Sequence, residues 1–238
     1  MYFYLIIALQ SYCIYHAYKN RKPYYWYFFV FFIPVLGSLI YIITQVYNKN
    51  DAEKIQGEIT SIINPIGKIK DLEKKIDFSD TYTNRIDLAD AYVQIMDMPN
   101  AILNYQKTLE DTVQDDMYSR QQLVLCYFQL KDYLGVIEHA EVIKDKSEFK
   151  GSKQQFCYGL ALKELDRLEA AEVQLKQIDR PYSNYVERLE LAKLYLETDR
   201  RKEGEDLLNE IYAESQNMTK TNKSLYRETM AEIEKLLT

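Results

Sequence analysis

The chain has 238 residues and a formal net charge of −6, but its charge is unevenly divided. Residues 1–50 carry four basic and no acidic side chains, whereas residues 51–238 carry 26 basic and 36 acidic ones. This acidic remainder argues against nucleic acid as a partner, because phosphate binding requires clustered lysine and arginine. The length suffices for one membrane element and one folded domain of ordinary size.

Residues 1–50 are predicted to form a two-helix membrane anchor, with helices at about 2–18 and 24–47. Neither run contains a charged residue. At ~1.5 Å per residue the second run rises ~36 Å and the first ~25 Å, against a hydrocarbon core of ~30 Å. The first run is therefore marginal by itself. We expect its polar side chains to face the second helix rather than lipid.

The second run has an aromatic entry followed by a proline, a glycine and a tyrosine. These residues are Trp26, Pro34, Gly37 and Tyr41. Pro34 removes a backbone donor and Gly37 offers a small surface, so we expect the helix to bend and Gly37 to pack against the first helix. The run resembles the N-terminal two-helix domain of bacterial cardiolipin synthases. The paired H-x-K-x4-D motifs of those enzymes are absent from the sequence, so the resemblance implies a shared type of anchor without the chemistry.

The turn between the two runs predicts the orientation of the anchor. It contains Lys19, Arg21 and Lys22, and basic turns favour the cytoplasmic side of a membrane. This places the C-terminal part on the periplasmic side of a bacterial inner membrane. Lys49 and Lys54 flank the other end and favour the opposite orientation, so a cytoplasmic location stays open.

Residues 51–80 are predicted to form two amphipathic linker helices with a break at residues 64–67, where proline and glycine occur. In the second helix, Ile69, Leu72 and Ile76 lie on one stripe. We therefore expect this stripe to pack on the domain that follows rather than to act as a spacer.

Residues 81–218 contain four repeats with spacings of 35, 35 and 33 residues. Each unit has two segments with apolar residues at i, i+3, i+4 and i+7, which predicts an antiparallel helix pair. A small or apolar residue recurs at Ala101, Val136, Ala171 and Gly204, and an aromatic or leucine at Tyr92, Tyr127, Leu162 and Tyr195. One pair cannot bury its apolar faces alone, so the units must stack into a solenoid. The small residue is expected where the two helices of a unit approach most closely.

The period and these positions resemble the tetratricopeptide repeat, most closely in the first unit. The resemblance implies an all-α fold in which the transmembrane hairpin precedes a right-handed α-solenoid of about four helix pairs. Residues 219–238, apolar on one face, are expected to cap it. The resemblance also implies a concave groove, lined by the first helices, that binds a protein or peptide. The matching residues are Tyr118, Gln121, Phe128, Gln129, Lys153, Phe156, Lys163 and Lys193.

Within this groove Phe128 and Phe156 are expected to act as aromatic anchors, with the lysines holding an acidic or carboxylate-bearing peptide. The alternative for Phe156 is packing between units. The carboxylate clamp of chaperone-type members is not reproduced, because one of its key positions is occupied by Asp90, Leu125, Leu160 and Lys193. Binding of extreme C-termini is therefore not expected.

The sequence shows no pattern for catalysis, a metal or a cofactor. Its two histidines, His16 and His139, belong to different modules, and His139 is expected at the surface. Cys13, Cys126 and Cys157 have no metal-site or redox spacing, so we expect them to be small buried hydrophobes.

The sequence therefore predicts a non-catalytic, membrane-anchored scaffold that binds a protein partner in the groove and the lipid bilayer through residues 1–50. Two alternatives stay open. One is a holdase or assembly factor for envelope proteins, and the other is an accessory subunit of phospholipid metabolism.

Overall fold

A computed structural model describes residues 2–42, 45, 64–110, 113–114 and 116–238. Within these ranges the chain forms fourteen helices and no strand, so the predicted all-α class is confirmed. The chain divides into two compact units, Met1–Lys68 and Ile69–Thr238. The first of the two predicted linker helices falls on residues 51–63 and lies outside the described residues.

The N-terminal unit contains three helices, α1 (Tyr2–Lys19), α2 (Tyr25–Phe32) and α3 (Pro34–Tyr41). Helices α2 and α3 occupy the region in which the sequence predicts one helix over 24–47. The chain leaves the helical conformation at Ile33, with φ −124° and ψ 75°, because the ring of Pro34 disfavours a helical residue before it. Among the described residues, no helix combines the length and the apolar character needed to cross a membrane.

Side chains of α1 complete the hydrogen bonding around this break. Pro34 has no N–H to donate to the carbonyl of Val30, and the side-chain amide of Gln10 donates to that carbonyl instead, at 2.9 Å. Nδ1 of His16 lies 3.0 Å from the hydroxyl oxygen of Tyr41. Gln10 and His16 thus face the neighbouring helices, as the sequence predicts, whereas Ser11 is exposed.

Gly37 packs closely against α2. A Cβ atom added to Gly37 would lie 2.3 Å from the carbonyl oxygen of Phe29 and 3.3 Å from Cα of Val30. The closest contact of Gly37 is therefore with α2, which was not predicted, although α3 also contacts the first helix. The break at Ile33 lets α3 pack back onto α2.

The N-terminal unit has a small core and an apolar exterior. Its buried residues are Cys13, Ala17, Trp26, Val30 and Tyr41. Of the 31 large apolar side chains exposed in the described residues, 15 lie between Tyr4 and Ile40. Apolar surface of this extent is typical of proteins that contact a membrane or another protein.

The remaining eleven helices are α4 (Pro65–Phe78), α5 (Tyr82–Gln94), α6 (Met98–Thr108), α7 (Met117–Gln129), α8 (Tyr133–Ile143), α9 (Lys153–Glu164), α10 (Leu168–Lys176), α11 (Tyr185–Glu197), α12 (Arg201–Gln216), α13 (Lys220–Leu225) and α14 (Arg227–Leu237). At the start of α4, the side chain of Asn64 accepts from the N–H of Gly67 at 3.0 Å, so the predicted break is a helix start. Ile69 and Leu72 of α4 pack with Leu88 and Ala91 of α5. This confirms that the linker stripe packs on the first repeat.

Helices α5 to α12 form four consecutive pairs, joined within each pair by the same three-residue turn. The middle residue of each turn has a positive φ, between 57° and 62°, at Met96, Lys131, Asp166 and Asp199. The residue after it donates its N–H to a carbonyl five residues back, at 2.9 Å in every pair. This is the Schellman ending of a helix, in which a left-handed residue closes the last turn. The accepting carbonyls belong to Tyr92, Tyr127, Leu162 and Tyr195, the recurring positions of the sequence.

The recurring small position lies inside each pair and is fully buried in all four. At Gly204 an added Cβ would lie 2.8 Å from Cδ2 of Leu196 and 3.1 Å from the carbonyl oxygen of Ala192, both in the partner helix α11. The prediction that this position sets the closest approach of the two helices is confirmed there. Repeated packing of this kind fits an α-solenoid in general terms.

The C-terminal end is covered by two short helices, α13 and α14, where the sequence predicts one. Ile233 of α14 is fully buried, and Tyr226, Met230 and Leu237 pack against the largest core cluster. The ring of Tyr226 meets the ring of Tyr185 edge-on at 5.0 Å. These contacts close the apolar end of the fourth pair.

Candidate protein-binding surface

The eight predicted groove residues lie on the first helices of the pairs. Helix α7 carries Tyr118, Gln121, Phe128 and Gln129, helix α9 carries Lys153, Phe156 and Lys163, and helix α11 carries Lys193. Helices α7 and α9 are in contact with one another. The first helices of the second and third pairs therefore present neighbouring faces.

The two aromatic candidates belong in part to the core. Phe128 and Phe156 are half-buried, and both pack against the largest core cluster. The ring of Phe128 lies 6.2 Å from the ring of Tyr133 in α8. Both rings therefore contribute to packing, as the alternative for Phe156 proposes. Each ring leaves only part of its surface for a ligand.

Two of the three candidate lysines already have partners within the chain. Nζ of Lys163 lies 2.8 Å from Oε1 of Glu197. Lys193 reaches Glu190 at 2.8 Å and Glu232 of α14 at 2.7 Å. An acidic ligand would have to compete with these carboxylates. Lys153, the first residue of α9, is exposed and has no ion-pair partner among the residues that the structure describes.

Tyr118 belongs to a hydrogen-bonded group around Asp90 that the sequence does not reveal. Its hydroxyl donates to the two carboxylate oxygens of Asp90, at 3.0 and 3.1 Å. The buried hydroxyl of Tyr105 donates to the same carboxylate. Burial, together with the charge of Asp90, raises the pKa of Tyr118 to about 12. Both tyrosines are therefore neutral donors at physiological pH, and the group joins the first pair to the second.

Gln121 is half-buried and Gln129, at the end of α7, is exposed. Amide side chains in such positions supply adaptable hydrogen bonds to a ligand. Together with Lys153 they are the candidates whose polar groups contact no other polar side chain in the described part of the chain. The surface for a ligand is therefore smaller and less basic than the sequence predicts.

A buried arginine is the largest electrostatic feature that sequence reasoning missed. Arg188 of α11 is 1 % exposed and lies between three carboxylates. Its Nε is 2.7 Å from Asp179, and its two Nη atoms are 2.7 Å from Glu210 and 2.8 Å from Glu214. Glu214 also accepts the backbone N–H of Tyr182 at 2.7 Å. The arginine therefore ties the loop before α11 to helix α12.

His139 is buried rather than at the surface, which corrects the expectation from the sequence. Its ring stacks on that of Tyr127, with centroids 5.5 Å apart, because this side of α8 faces α7. Burial lowers the pKa of His139, so its ring is neutral at pH 7.

The three cysteines are buried and free, as predicted. In the described ranges no group of three or more His, Cys, Asp or Glu residues could hold a metal ion.

Comparison with known proteins does not assign a family. No protein-family model matches the chain, and no curated protein matches it. The surface is therefore interpreted from its own geometry.

Proposed function

We propose that this protein is a non-catalytic membrane-anchored scaffold that binds another protein along the first helices of its tetratricopeptide-like pairs. The observation that carries the proposal is the regular pairing of helices, with the same turn at the same period four times. The first helices of the second and third pairs, α7 and α9, are in contact, so that one partner can reach both units at once. Solenoids of this kind commonly bind their ligands on such extended surfaces.

The partner surface that we propose is centred on α7 and α9. Gln121, Gln129 and Lys153 supply the polar contacts, while Phe128 and Phe156 supply the apolar area that their partial burial leaves open. The partner is expected to carry acidic residues near Lys153, the cation of this surface that no carboxylate of the described chain neutralises.

The attachment to a membrane rests on the exterior of the N-terminal unit. Fifteen large apolar side chains are exposed between Tyr4 and Ile40, and three basic residues lie at the end of α1 and in the turn after it. Exposed tyrosines, including Tyr18, Tyr24 and Tyr25, flank this turn. Aromatic and basic residues prefer the headgroup layer of a bilayer. We propose that the unit is embedded in a bacterial inner membrane.

Charge reversal at Lys153 tests the scaffold proposal without weakening the fold. Lys153→Glu places a carboxylate in the first turn of α9, where the helix dipole favours it by ~0.3–1 kcal/mol. In capture from detergent-solubilised membranes, we expect the variant to retain about a tenth or less of the partner that the wild type retains, as when a charged contact is reversed at an interface. Quantitative mass spectrometry measures the loss.

The matched control is Lys202→Glu, which makes the same charge change on an exposed residue of α12. It is expected to capture the partner like the wild type. Equal capture by Lys153→Glu would contradict the proposed surface, and release of the protein from the membranes by alkaline washing would contradict the anchor.

A further inference from the structure

A cationic cleft in the second unit shares no residue with the proposed partner surface. It has a volume of 620 Å³ and is formed by the connection from α8 to α9, by α10 and by the loop after α10. Lys144, Lys150 and Arg180 line it, against a single acid, Asp145. Residues 51–238 contain more acidic than basic residues. The local charge of the cleft is therefore opposite in sign to the net charge of this part of the chain.

Two of these cations are available to a ligand. Lys150 and Arg180 are exposed, and neither has an ion-pair partner in the part of the chain that the structure describes. Lys144 is paired with Glu141. The guanidinium group of Arg180 lies over Gly151, with Nη2 3.1 Å from the place where a Cβ atom would stand. The glycine therefore leaves room for the arginine at the wall of the cleft.

A buried glutamine fixes the orientation of two further amides in the wall. Gln155 is 1 % exposed, and its Oε1 accepts the backbone N–H of Gly151 at 2.7 Å. Because a backbone N–H can only donate, this bond determines which end of the amide is oxygen. Nε2 of Gln155 then donates to Oε1 of Gln174 at 3.0 Å and to Oε1 of Gln177 at 2.8 Å. The NH₂ groups of Gln174 and Gln177 are left as donors.

We propose that this cleft binds an oxyanion, a phosphate or carboxylate group carried by a small molecule. The wall offers a guanidinium fork, an ammonium group and two oriented amide donors. This is the combination that recognises planar or tetrahedral oxyanions. Its volume falls within the ~300–1,000 Å³ usual for small-molecule sites. The inference is independent of the proposed scaffold surface, since the two share no residue.

Calorimetric titration of the full chain in detergent micelles tests the site. The probes are pyrophosphate and malonate at constant ionic strength, and saturable binding of either is expected. The probe that binds more tightly shows whether the site prefers a phosphate or a carboxylate group. The double variant Lys150→Gln/Arg180→Gln should weaken that binding about tenfold or more, because charge-assisted hydrogen bonds are lost. The control Lys202→Gln/Lys220→Gln removes the same charge from exposed positions and should change it less than about twofold.

A third variant, Gln155→Met, tests the oriented donors without changing the charge of the cleft. The uncharged side chain of similar length no longer donates to Gln174 and Gln177, so their NH₂ groups are no longer held as donors for the ligand. Binding should be lost while a cooperative melting transition shows that the variant is folded. No saturable binding of either anion, or unchanged affinity in both site variants, would overturn the proposal.

Discussion

Replacement of Arg188 by methionine is expected to lower the free energy of unfolding by ~3–5 kcal/mol, the loss typical of a buried ion pair that loses one partner. Arg188 is 1 % exposed and faces Asp179, Glu210 and Glu214. Without the guanidinium group, the side chain of Glu214, which is 6 % exposed, keeps its charge in a buried position. Chemical denaturation followed by circular dichroism measures the change.

Two further variants show whether the loss comes from the stranded carboxylates. Arg201→Met removes one exposed pair with Glu205 and should cost less than ~0.5 kcal/mol. Glu214→Gln in the Arg188→Met background should restore part of the stability, because the amide still accepts the N–H of Tyr182 without burying a charge. A loss below ~1 kcal/mol in Arg188→Met, well under the range for broken buried pairs, would contradict this account.

Gly37→Ala is expected to open the N-terminal unit, because a single Cβ atom is enough to force α2 and α3 apart. The new atom would lie 2.3 Å from the carbonyl oxygen of Phe29, and backbone cannot move aside as a side chain does. Overpacking in a tight site costs ~1–3 kcal/mol, and we expect the upper end. The only tryptophan, Trp26, is buried in the same core, so quenching of its fluorescence by acrylamide should increase.

The matched control for this prediction is Gly67→Ala at the start of α4. There the added Cβ meets only the side chain of Asn64, which can rotate away. Quenching of Trp26 should remain at the level of the wild type. If Gly37→Ala also leaves the quenching unchanged, the close packing of α3 on α2 is not present in the protein.

The repeated part of the fold was predictable because its determinants are local and recur. Ala101 and its counterparts are buried inside each pair, and Tyr92 and its counterparts supply the carbonyl that closes the first helix. The left-handed residue of each turn could not be recognised in the sequence, because none of the four is glycine. Even so, the period alone predicted one turn in every unit, at or within one or two residues of its place in the structure.

The features that escaped prediction depend on contacts between distant residues. Arg188 and Glu214 are 26 positions apart, and no periodicity links an arginine to its acidic partners. The ion pairs that neutralise Lys163 and Lys193 are equally non-local. At Pro34 the sequence indicated a bend. How far the chain turns back between α2 and α3 depends on how these two helices pack on each other. The groove residues assigned by resemblance therefore lie on the first helices of the pairs, as expected, but they have less free surface and charge for a ligand than expected.

Photocrosslinking in intact cells tests the central claim, that the first helices hold a protein partner, most directly. A photoreactive amino acid is introduced at Gln121 or Gln129 of α7 and, as a control, at Val142, which is exposed on the second helix α8. The account predicts a discrete protein adduct from the α7 positions that is absent from Val142. No adduct at either α7 position, or the same adducts at Val142, would contradict it.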